Sequence, residues 1–87
     1  MVEVGQFVEL TPKSPKARPR VGVVVGVVHD RRAIPRLVRV YVRSHHEVVG
    51  VPPASVKTLN FPLAKREGQF LITGKGLKIS LETGYPV

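Results

Sequence analysis

At 87 residues and 9.6 kDa the chain has room for one domain, and 43% hydrophobic with 23% charged content excludes a disordered polymer. Fourteen Lys and Arg against six Asp and Glu leave a formal charge of +8, which favours nucleic acid or an acidic protein surface as partner. The absence of cysteine excludes disulfides and thiolate metal sites, and no apolar stretch is long enough to suggest a membrane-spanning helix.

The first β-type segment, residues 4–10, puts Val4, Val8 and Leu10 on one face and Phe7 and Glu9 on the other. Residues 11–20 read Thr-Pro-Lys-Ser-Pro-Lys-Ala-Arg-Pro-Arg, and Pro12, Pro15 and Pro19 forbid a helix interior or a central strand. Lys13, Lys16, Arg18 and Arg20 have no acidic neighbour in this stretch. It is expected to project as a basic loop, either solvated or binding.

Residues 21–28 are apolar on both faces. Val21, Val23, Val25 and Val27 form one; Gly22, Val24, Gly26 and Val28 form the other. Two glycines on one face predict strong bending, as a small barrel requires. The next connection is basic through Arg31, Arg32 and Arg36, and Pro35 stops a strand from running through it. Residues 37–43 then alternate, with Val38, Val40 and Val42 facing the core and Leu37, Arg39, Tyr41 and Arg43 outward. Tyr41 between two arginines can stack a base while they grip phosphates; equally, it can cover apolar surface while they snorkel.

Ser44-His45-His46 reads as a turn. Adjacent histidines in extended chain point to opposite sides, and no carboxylate cluster joins His29, so no metal is expected. Residues 47–51 resume a strand, 52–55 form a short turn with room for one 3₁₀ turn, and 56–59 can pair as a last strand. This order predicts an all-β protein built on a small closed barrel.

The segments Val4-Gly5…Val8…Leu10, Gly22-Val23-Val24-Val25-Gly26-Val27-Val28 and Leu37-Val38-Arg39-Val40 together resemble the KOW motif and the wider SH3-like barrel group. Glu47 to Val56 also resembles the end of such barrels, where a 3₁₀ turn precedes the final strand. The resemblance covers residues 3–59 and implies contacts with RNA or RNA polymerase, although many small SH3-like barrels bind protein or serve in phage particles. In such a barrel the first long loop and the loop between the second and third strands can share a side. Lys13, Lys16, Arg18, Arg20, Arg31, Arg32 and Arg36 would then form one basic rim, with Arg39, Tyr41 and Arg43 nearby. The first loop departs from the compact KOW form in being longer and richer in proline.

The remainder, residues 61–87, forms an extension beyond the barrel of residues 1–60. Phe61-Pro62-Leu63-Ala64 reads as a packing linker and Lys65-Arg66-Glu67-Gly68 as a turn. Residues 69–81 predict a hairpin around Gly74-Lys75-Gly76, expected to pack on its own barrel or on a partner because a lone hairpin is marginal in water. The four serines lack a His/Asp constellation, no carboxylate pair is apparent, and the short glycine loop lacks the features of a phosphate-binding loop. The expectation is a non-enzymatic module without cofactor that binds nucleic acid, RNA before DNA. The alternative is a phage-type adaptor that docks on a large complex or oligomerises. The setting is cytoplasmic or within a virus particle.

Overall fold

A computed structural model describes residues 2–12 and 14–87. Strand β2, Arg20–His29, is the spine of the molecule. Its valine run is apolar on both sides because each side meets a different core. β1, Phe7–Leu10, pairs with β2 in antiparallel register, Phe7 opposite Val23 and Leu10 opposite Arg20. β3, Pro35–Val42, pairs on the other side of β2. Pro35 is the first residue of that strand, a position where its missing N–H is tolerated. A 3₁₀ turn over Arg43–His45 then leads into β4, Glu47–Val51, and another over Pro53–Ser55 into β5, Val56–Thr58. The sheet order is β4-β3-β2-β1-β5.

The all-β expectation holds, but the barrel does not close. No ladder joins the outer strands β4 and β5. Pro52 and Pro53 stand between them without N–H donors, and the chain turns through 3₁₀ geometry before reaching β1. The two edges meet through side chains instead. Val49, Val51 and Val56 pack on a core of Val8, Leu10, Val24, Val38, Val40 and Val42.

A bulge corrects the expected facing of β2. Val24 pairs with Val40 but Gly26 pairs with Arg39, so Val25 and Gly26 together oppose one residue. The alternation shifts by one there. Val25 stays on the outer face with Val23, whereas Val27 turns inward to join Val24 in the first core. β1 is also shorter than expected, because Gly5 adopts φ +93° ahead of it. Its amide donates to the Val24 carbonyl at 2.8 Å and its carbonyl accepts from the Ala64 amide at 2.9 Å.

The C-terminal part forms a second sheet, β6-β7-β8: Lys65–Glu67, Phe70–Ile72 and Lys78–Ser80. The expected hairpin is there as β7 and β8. The segment Lys65–Glu67 is a third strand rather than a turn, and the turn follows at Gly68, φ +59°. This sheet lies on the outer face of the first. Leu71 and Ile79, both 0% exposed, join Val23, Val25, Tyr41 and Ala64 in a second core flanked by Phe7 and Val48. Burying each such aliphatic side chain is worth about 1.5–3 kcal/mol, which offsets the marginal stability of so short a sheet. The proposed division near residue 60 therefore separates two sheets that share a core.

Candidate functional site

The second sheet does not cover the whole outer face. Beyond its edge, toward the β1–β2 loop, a groove of about 610 Å³ lies between the sheets. Phe7, Val21, Val23 and Tyr41 of the first sheet line it, together with Phe61, Pro62 and Leu63 of the linker and Leu77 of the hairpin. Three of these side chains remain largely open to solvent: Phe61 at 59%, Leu63 at 51% and Val21 at 49%. Phe61 meets Phe7 nearly at right angles, with ring centroids 6.2 Å apart, an edge-to-face geometry that aromatic pairs favour.

The polar groups of the groove are cationic. Arg43 stands on one wall, where β3 gives way to the 3₁₀ turn, and Lys75 on the other, at the hairpin tip. Lys75 is held out by its loop. The Gly76 amide donates to the Thr73 carbonyl at 2.9 Å, the Leu77 amide donates to Thr73 Oγ1 at 3.1 Å, and Gly76 takes φ +85°. A second depression, lined by Ala17, Arg18, Pro19, Arg20, Ser44 and His45, adjoins the groove and shares Val21 with it. No carboxylate lines either depression, although Arg18 and Arg20 also border a third one that holds Glu47, with which neither forms an ion pair. Among the described residues two ion pairs form, Arg36 with Asp30 at 3.6 Å and Lys65 with Glu67 at 3.2 Å, so Arg18, Arg20, Arg43 and Lys75 remain free of acidic partners.

The structure redistributes the residues singled out in the sequence. Arg18, Arg20 and Arg43 come together beside the groove, with the exposed Lys16 in the same loop; Lys13 lies outside the described residues. Arg31, Arg32 and Arg36 do not complete one rim with them. The β1–β2 and β2–β3 loops leave opposite ends of the 10-residue strand β2, which spans up to about 30 Å. Arg31, Arg32 and Arg36 instead surround a separate hairpin tip. There Asp30 Oδ1 accepts from the Arg32 and Ile34 amides at 2.8 and 3.0 Å, and Val28, Ile34 and Leu37 are exposed. Arg39 lies midway along the sheet between Gly26 and Gly50.

Tyr41 is not a stacking platform. It points outward as expected, yet it is only 2% exposed because the second sheet and the C-terminal turn cover it. Its hydroxyl shares a 3.0 Å hydrogen bond with His46 Nδ1, and the Tyr85 ring packs 6.3 Å away. The exposed aromatic residue of the groove is Phe61, which sequence reasoning placed in a packing linker. The available signal was a proline flanked by two large apolar residues, a stretch too stiff to bury both. Among the described residues no three metal-ligating side chains converge, and no helix is long and apolar enough to cross a membrane. No known family model, curated protein or solved structure matches the chain.

Proposed function

We propose that the protein is a non-enzymatic module that binds nucleic acid, RNA before DNA, within a ribonucleoprotein or transcription complex. One observation carries this reading. Arg18, Arg20, Arg43 and Lys75 come from three loops and both sheets, yet they line adjoining depressions that hold no carboxylate. Clustered cations that form no ion pair repel one another, and a polyanion relieves that repulsion. The 3₁₀ turn Pro53–Ser55 directly before β5 supports kinship with SH3-like, KOW-like domains.

The test is binding of a single-stranded RNA measured across a salt series. Four phosphate contacts would make log K fall with log salt at a slope of about −3. The double variant R18E/R20E should remove most of the affinity while circular dichroism stays unchanged, since both side chains are exposed. Absence of binding at low salt, or an affinity indifferent to salt, refutes the reading.

A second reading has its own observation. Val28, Ile34 and Leu37 are exposed beside Arg31, Arg32 and Arg36, a surface suited to docking on an acidic protein or a larger assembly, including a virus particle. A defined oligomer in light scattering without nucleic acid would favour it over a cytoplasmic RNA-binding module.

A further inference from the structure

The inter-sheet groove suits one feature of a nucleic acid that a basic surface alone does not recognise. Its exposed wall is Phe61, Leu63 and Val21, apolar and partly aromatic, while its charges, Arg43 and Lys75, stand on opposite walls. A volume of about 610 Å³ lies within the range of small-ligand sites, about 300–1,000 Å³. We infer that this groove receives unstacked bases of a single strand, with Phe61 as the stacking surface and Arg43 and Lys75 holding the flanking phosphates.

Three observations favour that occupant. Phe61 is an aromatic ring left 59% exposed and packed edge-to-face on Phe7, and a base gains by stacking on such a ring. The groove is bracketed by positive charge and continues, through Val21, into the depression of Arg18 and Arg20. This continuation suits a backbone bearing a charge on every unit. Duplex bases, by contrast, are already stacked and paired, and entering the groove would require flipping them out.

The inference rests on the nucleic-acid reading, and one experiment separates the two. Anisotropy titrations would compare a single-stranded RNA, a duplex of equal length and inorganic polyphosphate, for the native chain, F61A, L63A and R18E/R20E. The expected result is tighter binding of the single strand than of duplex or polyphosphate. F61A should weaken the single strand by about tenfold or more, the loss of one stacked base, without altering duplex binding or the salt slope. L63A should weaken it in the same selective way, so the conclusion does not depend on one variant. Equal binding of all three ligands, or F61A and L63A both matching the native chain, overturns the groove assignment and leaves the polyanion reading standing. Failure to bind any of the three overturns both. An acidic peptide rich in apolar residues that outcompetes the RNA and depends on Phe61 would also overturn the assignment, because the groove would then serve a protein.

Discussion

Replacing Leu71 with alanine tests whether the two sheets form one cooperative structure. Leu71 is fully buried between them, and its Cδ2 would lie 3.6 Å from a Cβ added at Gly5. The surrounding backbone is pinned: Gly5 is bonded to Val24 on one side and to Ala64 on the other, at 2.8 and 2.9 Å. Collapse around the missing side chain is therefore restricted. The cost should fall in the upper half of the usual Leu→Ala range, about 3–5 kcal/mol. A domain of this size has only about 4–13 kcal/mol of stability in total. With a urea dependence of about 1 kcal/mol per molar, the unfolding midpoint should drop by at least about 3 M or folding should be lost. Urea titration followed by far-ultraviolet circular dichroism measures this directly. V40A, in the first core, provides the comparison. Both variants should shift a single transition. A two-step curve for L71A in which the main transition keeps its native midpoint would refute the reasoning, because the second sheet would then be an appendage.

Gly22 is a close-approach site: an added Cβ would stand 2.5 Å from the Tyr41 carbonyl oxygen and from Val40 Cγ1. G22A should cost about 3 kcal/mol in chemical denaturation, whereas G74A, with nothing within 4 Å, should stay within about 0.5 kcal/mol of the native chain. D30A removes the acceptor for the Arg32 and Ile34 amides, so exchange of those two amide protons should accelerate in NMR while the core strands keep their protection. Ala33 takes φ 60°, a conformation costly for a residue with a Cβ, so A33G should raise the melting temperature, by the equivalent of up to about 1 kcal/mol.

The first sheet was legible because its signals are local. Alternating valines mark β3, the paired prolines mark the turn after β4, and Glu47–Val51 has the boundaries its pattern indicates. The bulge in β2 was not legible. Val24-Val25-Gly26-Val27 reads as regular alternation, and only pairing against Arg39 shows that two residues share one position. β6 escaped notice because Lys65, Arg66 and Glu67 are all exposed, so hydrogen bonding to β7 makes it a strand without any apolar pattern. At the site, the charges of Arg18, Arg20 and Arg43 were apparent, but their separation from Arg31, Arg32 and Arg36 was not. Loops adjacent in sequence emerge at opposite ends of the strand they flank, and composition does not encode that distance. The burial of Tyr41 depends on a sheet that begins more than twenty residues later in the chain.

The packing of Tyr41 against Tyr85 gives the molecule a built-in optical reporter. The chain has two tyrosines and no tryptophan. Tyr41 is buried in the seam between the sheets and bonded to His46; Tyr85, more exposed, packs against it from the C-terminal segment, its hydroxyl accepting from the Val48 amide at 3.4 Å. Tyrosine emission and near-ultraviolet dichroism therefore report on this seam, while the rest of the protein contributes little. Tyr41 also forms part of the groove floor and Tyr85 does not line the groove. A guest in the groove, which Tyr41 borders, should perturb Tyr41 more than Tyr85, whereas parting of the sheets should perturb both. Spectroscopy without any attached label can thus distinguish occupancy of the groove from opening of the fold.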